Sequence, residues 1–249
     1  MREQWLHASW PAGPARALTT TCAGGVSRGA YAGFNLATHV GDGSVAVARN
    51  RKMLGASIGL DRIQWLNQVH GTQCLRADLG TTRAVPDADA AWTTQPNLVL
   101  AVLTADCIPV VFSHREGGVI AVAHAGWRGL VAGVLANLLQ ALPDAAAQYL
   151  TWIGPAIGVD AYQVGQEVAD AVHAMSNVGP QVDAYLHESP GLSGKYQLDL
   201  AGLAAMQLGY LGVAGVFCER FCTFSDRRFF SHRRDGITGR MATVVWLGR

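Results

Sequence analysis

The sequence predicts one domain that mixes short strands with a few helices. Three observations predict it. The chain has 249 residues, half of them hydrophobic and only 15% charged, which suits one sizeable buried core and argues against disorder. Its apolar runs are short and bounded by Gly, Pro or charge, as buried strands are. Only residues 45–59, 130–142, 166–175 and 200–208 carry helical patterns. No repeat, low-complexity linker or composition break divides the chain, so a single domain over residues 1–249 is the economical expectation.

In chain order, Thr19–Cys22 reads as the first strand, with turns at Gly24-Gly25 and Gly29. Phe34, Asn35, Leu36 and His39 follow in an irregular loop. Residues 45–59 form a helix with Val45, Ala48, Met53 and Leu54 on one face. Ile63–Val69 reads as a strand that delivers His70. Residues 77–89 read as a polar loop, with Asp78, Asp87 and Asp89 as solvated or turn-capping carboxylates. Then comes the densest stretch, Thr104–Gly129. Val99–Leu103, Val110–Phe112 and Val119–Ala123 are apolar runs; Asp106-Cys107 lies between the first two and His124 ends the third. The glycine-rich AGWRG loop leads into the clearest helix, 130–142, whose start favours an anion near Arg128. Leu150–Ile153 and Val213–Cys218 are strands, Gln166–Met175 is a helix, and residues 176–195 are loop-rich. Asp199 caps a helix from Leu200 to Leu208. A basic loop containing Arg233, Arg234 and Arg240 precedes the last strand, Met241–Leu247.

Composition excludes several function classes. A net charge of +1 offers no basic field for nucleic acid. The apolar runs fall far short of the ~20 residues of a membrane helix. The amino terminus has no apolar core behind a basic start, so the expectation is a cytoplasmic protein. Five cysteines, an odd number, argue against a disulfide framework. Cys218 and Cys222 read as core or loop thiols.

Cys107 and His124 alone admit two chemistries. One is a Cys-His nucleophile pair, in which the base lowers the thiol pKa. The other is a metal site. With His70 added, two imidazoles and one thiolate suit zinc with a fourth position open, and copper could use the same donors. Asp106 is the candidate proton shuttle or supporting carboxylate.

The segments GFNLATHVGD (33–42), NQVHGT (67–72), TADCIPV (104–110), AHAGWRG (123–129), IGPAIG with YQVG (153–165) and FFSHRRDGITGRMA (229–242) together resemble the YfiH family. It is also called the laccase-domain or multicopper polyphenol oxidase family, and its members are described as purine nucleoside phosphorylases. The resemblance spans nearly the whole chain and implies an α+β domain of two packed mixed sheets with helices outside, in α/β/β/α layers, similar to cysteine hydrolases. It implies His70, Cys107 and His124 as metal ligands, with zinc as cofactor and copper the alternative. It implies phosphorolysis of adenosine, inosine and methylthioadenosine, with deamination of adenosine beside it. Asp106, Cys107 and Arg128 are then the catalytic candidates. Asn35, His39, Arg128 and Arg234 are the candidates for holding nucleoside or phosphate. Two other activities follow from the same resemblance: a hydrolase editing cell-wall precursors, and a copper oxidase of phenols. The oxidase would need paired His-x-His motifs, and the eight histidines form none. The oligomeric state is left open.

Overall fold

The computed structural model describes residues 4–80, 85–176, 178 and 181–248. Residues 81–84 of the expected polar loop and residues 177, 179 and 180 of the loop-rich stretch lie outside the described residues.

Along the chain the elements are β1 (Leu6–His7), β2 (Ala15–Thr19), α1 (Ser44–Ile58), β3 (Ile63–Gln64), β4 (Cys74–Arg76), β5 (Ala90–Thr93), β6 (Val99–Thr104), β7 (Ile108–His114) and β8 (Ile120–Ala125). Next come α2 (Trp127–Ala132), α3 (Val134–Ala141), β9 (Tyr149–Ile153), β10 (Gln163–Gly165), α4 (Gln166–His173), β11 (Leu186–Glu188) and β12 (Lys195–Leu198). The chain closes with α5 (Leu200–Tyr210), β13 (Gly215–Cys218), α6 (His232–Asp235) and β14 (Met241–Leu247).

Two mixed sheets carry the fold: β1-β2-β14-β6-β3, and β13-β9-β7-β8-β5-β4. A smaller sheet, β10-β12-β11, stands beside them. Strand alternation sorts the side chains into layers. Leu100 and Val102 of β6 meet Val111 of β7, Val122 of β8 and Trp152 of β9 between the two large sheets. Val99 and Ala101 point the other way, onto Leu54 of α1. Val110 and Phe112 face Leu135 and Leu138 of α3 and Leu203 of α5. Both faces of the central strands are therefore covered, which gives the expected α/β/β/α layering. It also explains why these strands read as continuous apolar runs and not as alternating ones. Each fully buried leucine or valine contributes about 1.5–3 kcal/mol.

Several expectations are corrected. The first long strand is Ala15–Thr19, earlier than the expected Thr19–Cys22, because Thr19 through Ala15 pair with Thr243 through Leu247 of β14. On α1 the buried face is Val47, Asn50 and Leu54, while Val45 and Ala48 are exposed. Asn50 earns its buried position by hydrogen bonds to Val26, Ser27, Gly33 and Asn35. Ile63–Val69 is a strand only at Ile63–Gln64. The expected helix 130–142 is two helices, α2 and α3, broken at Gly133, whose φ of 95° an L side chain rarely adopts. The interval 77–89 ends on a buried carboxylate, and β5 directly after it lies outside the sequence expectation. Asp199 does cap α5, accepting from the Gly202 amide at 2.8 Å. All five cysteines are free. Among the described residues no helix is long and apolar enough to cross a membrane.

Candidate metal centre

The chain passes from one large sheet to the other between Thr104, the end of β6, and Ile108, the start of β7. Ala105-Asp106-Cys107 makes that passage, and Asp106 takes φ 92° to do so. Ile108 pairs with Ala125 of β8. Cys107 and Gly126 therefore face each other one residue beyond the ladder, with His124 at the last turn of the pleat. A Cβ at Gly126 would stand 2.8 Å from His70 Cδ2 and 3.0 Å from Cys107 Sγ, so only glycine leaves room for the cluster.

His70 does not come from a strand end. It sits in a turn with φ 58°. That turn is tied down by Asp89, which is fully buried. Its Oδ1 accepts from the His70 amide at 3.0 Å, and its Oδ2 accepts from the Gly71 amide at 2.7 Å and the Val69 amide at 3.2 Å. The same Oδ1 lies 2.8 Å from His124 Nδ1. One carboxylate thus holds two of the three ligands in place. With Nδ1 of His124 engaged by Asp89, its Nε2 is left for the cluster, the arrangement that fixes tautomer and ring angle at metal sites.

The structure brings together the three residues expected as metal ligands: His70, Cys107 and His124 offer donor atoms within 4.8 Å of one another and could hold an ion. Cys107 Sγ lies 3.9 Å from His70 Nε2, and the two imidazole rings meet edge to face with centroids 4.7 Å apart. Burial pushes the Cys107 thiol up, but His124 and His70 outweigh it and bring it down to about 6. Burial likewise disfavours a charged His124, yet Cys107 and Asp89 raise it to about 9. Burial also works against the charged form of Asp89, but His124 and the Gly71 and Val69 amides hold its carboxyl below the usual range. The site is therefore built around a thiolate. Two imidazoles and a thiolate, with a carboxylate behind one ring and a gap kept open by Gly126, fit a zinc-type ion.

Two cavities meet at this cluster. One, of about 190 Å³, is lined by Trp127, Ile157, Tyr162, Leu200 and Arg233 beside the ligands. The other, of about 340 Å³, is lined by His39, Gln68, Thr104, Arg128, His232 and Arg240. Arg128 borders both, with its guanidinium 4.4 Å from the centre of the Trp127 ring. Larger hollows lie elsewhere, such as one of about 660 Å³ walled by Trp10 and Trp246, but they contain no comparable donor set.

The remaining candidates separate. Asp106 reaches the site but both its oxygens are engaged: Oδ1 accepts from the Thr223 hydroxyl at 2.6 Å and Oδ2 from the Arg233 amide at 2.7 Å. His39 lines the larger cavity. Asn35 does not reach it; it is fully buried, donating to Ala37 and Asp42 and accepting from the Ala37 and Arg240 amides. Arg234 does not reach it either. Its guanidinium is spent on the carbonyls of Thr223, Phe224 and Phe229 and on Asp235. Arg233 takes its place at the cavity wall, donating to the Gln163 carbonyl 2.8 Å away. Asp89, Thr223 and Tyr162 are the residues that spacing alone does not bring forward. The only local sign for Asp89 is its position directly before the apolar Ala90-Ala91-Trp92.

A family model described as multi-copper polyphenol oxidoreductase laccase matches residues 16–248. A protein of Pseudomonas aeruginosa named purine nucleoside phosphorylase is 43% identical over 247 residues, which cover 98% of each chain. Purine nucleoside phosphorylase YfiH of Escherichia coli is 42% identical over 233 residues, 93% of each chain. A crystal structure of a Neisseria meningitidis protein superposes with a TM-score of 0.92 at 43% identity, covering 99% of this chain and 100% of that one. YlmD from Geobacillus stearothermophilus superposes with a TM-score of 0.91 at 31% identity, covering 98% and 96%.

Proposed function

The chain belongs to the multi-copper polyphenol oxidoreductase laccase family, and from that membership we propose that it is a zinc-dependent purine nucleoside phosphorylase, a single catalytic domain acting in the cytoplasm. The observation that carries this reading is identity above 40%, over nearly the full length, to proteins named purine nucleoside phosphorylase. The site supports it. Tyr162, Trp127 and Ile157 give the smaller cavity an aromatic and apolar wall, which suits a purine base. Arg128 borders both cavities and has no acidic partner among the described residues, which supports a role for it in meeting the anionic co-substrate.

In phosphorolysis the C1′–N bond of the nucleoside breaks as a phosphate oxygen bonds to C1′. Positioning and charge balance supply most of the acceleration in such a transfer. His70, Cys107 and His124 would hold zinc, which supplies Lewis-acid chemistry to an oxygen of the substrate or of water. Asp89 keeps His124 and the His70 turn in register for that ion. Arg128 balances the charge of phosphate. Cys107 acts here as a ligand, since its sulfur faces both imidazoles. Deamination of adenosine at the same centre is the second activity; Asp106, whose oxygens already accept two hydrogen bonds, acts in it as a clamp on the start of α6 and not as the proton shuttle. The described residues hold one three-donor cluster and no second, which favours a single-ion site over the multicopper centre of a phenol oxidase.

Pure protein incubated with adenosine and phosphate is expected to release adenine and ribose 1-phosphate; inosine formed without phosphate reads out deamination. Cys107→Ser and His124→Ala should lower both activities on the order of 100-fold or more, together with bound metal. Turnover that survives both substitutions would overturn the reading.

A further inference from the structure

Arg240 leads into β14 and is held there by its neighbours. Its amide donates to Asn35 Oδ1 at 2.9 Å, and its carbonyl accepts from the Leu36 amide at 3.3 Å. This explains what the buried Asn35 does: it locks the GFNLATH loop to the segment that leads into β14, so that His39 and Arg240 line one cavity. Arg240 is half-buried. One of its terminal nitrogens, Nη1, donates to the Thr238 and Gly239 carbonyls, each at 2.9 Å. No carboxylate forms an ion pair with it among the described residues. The lining of that cavity contains no Asp or Glu, but it contains Arg128, Arg240, His39 and His232. Burial disfavours the charged Arg240, offset in part by the thiolate of Cys107 and by Asp106. Partial burial, Arg240 and Arg51 together hold His39 below the usual imidazole value.

A half-buried guanidinium without a carboxylate is costly to keep, and proteins commonly complete such a group with a bound anion. Its Nε–Nη2 edge, which makes no hydrogen bond among the described residues, is the fork that matches two oxygens of a phosphate. The cavity shares His70, Cys107, Arg128 and His232 with the smaller one, but Tyr162 and Trp127 line only the smaller one and His39 and Arg240 only the larger.

We propose that Arg240, with His39, forms the phosphate subsite of this centre, in the larger cavity that adjoins the aromatic one. This rests on the phosphorylase reading for its substrate, inorganic phosphate or the phosphate of ribose 1-phosphate, and it divides the site into a phosphate half and a base half.

The test uses the metal-loaded full chain. In wild-type protein, phenylglyoxal modification of Arg240, followed by peptide mass mapping, is slowed by millimolar inorganic phosphate and not by chloride at equal ionic strength. In steady state, Arg240→Gln raises the KM for phosphate tenfold or more while the KM for nucleoside changes less than about twofold, and Arg240→Lys recovers part of the loss. Unprotected Arg240 in the wild type, or an unchanged phosphate KM in folded Arg240→Gln, overturns the subsite. The labelling needs no variant, so it decides the matter should Arg240→Gln fail to fold. Wild-type turnover that is independent of phosphate defeats the phosphorylase reading instead, while protection of Arg240 still reports the anion site by itself.

Discussion

The turn that carries His70 and the short helix α6 that carries Arg233 are both tied to the candidate metal centre by a buried carboxylate, yet the two carboxylates differ in what they hold. Asp89 accepts three backbone amides and sits against the His124 imidazole, so it fixes the positions of two candidate ligands at once. Asp106 accepts one hydroxyl and one amide, and it fixes a cavity wall. In sequence their prospects look reversed. Asp106 adjoins the cysteine and invites a catalytic role, while Asp89 lies in a polar stretch far from both ligands it serves. Adjacency in the chain is a poor guide where the backbone turns through φ 92° between neighbouring side chains.

Substitution of Asp89 should have the largest effect. Asp89→Ala leaves three amides and an imidazole without their acceptor, so stability should fall by about 3 kcal/mol in chemical denaturation. Metal affinity, measured by chelator competition, should fall about 10–100-fold. Loss of stability with unchanged metal affinity would make Asp89 a purely structural residue.

The thiol provides the next contrast. In metal-free protein the lowered pKa of Cys107 means that thiolate is present above about 6, so iodoacetamide labelling should rise through that pH and then level off. Cys22 and Cys74, pushed up to about 12 by burial, should stay unlabelled through pH 9. Added zinc should protect Cys107. Asp89→Asn should move the midpoint upward, because His124 loses the partner that favours its charged form; Asp106→Asn should leave it in place. A wild-type midpoint near the ordinary thiol value would dissolve the thiolate–imidazolium pair.

The smallest effect belongs to Asp106→Asn. The amide oxygen still accepts from the Arg233 amide, and its NH₂ donates to the Thr223 hydroxyl, so stability should drop by only about 1 kcal/mol. Both activities should stay within a fewfold of wild type at full metal content. Loss of deamination alone, with metal retained, would restore Asp106 as the proton shuttle.

Local chemistry was legible wherever one segment decides its own structure. Met241–Leu247 reads as a strand because seven consecutive residues suit one. Asp199 reads as a cap because its partner amide is three residues away. Gln166–Met175 reads as a helix with Glu167 in its first turn, and the structure carries it as far as His173 with Val168, Ala169 and Val172 buried. Where neighbours decide, the reading shifts. Asn50 lies on the buried face of α1 only because a distant loop supplies its hydrogen bonds, and Arg234 is withdrawn from the cavity by carbonyls that fold back over it.

By itself the sequence determined a strand-rich domain with a few helices, through the length and spacing of its apolar runs, and it put forward Cys107 and His124 with His70 as a nucleophile pair or a metal site; the two-sheet layering and the choice of metal ligands came from the family resemblance. The tertiary structure decided that His70 comes from a turn, that Asp89 stands behind His124, and that Arg240 and not Arg234 faces the cavity. Those choices depend on hydrogen bonds between segments 19–205 residues apart, such as His70 to Asp89 and Arg240 to Asn35, whose geometry exists only once the two sheets have packed.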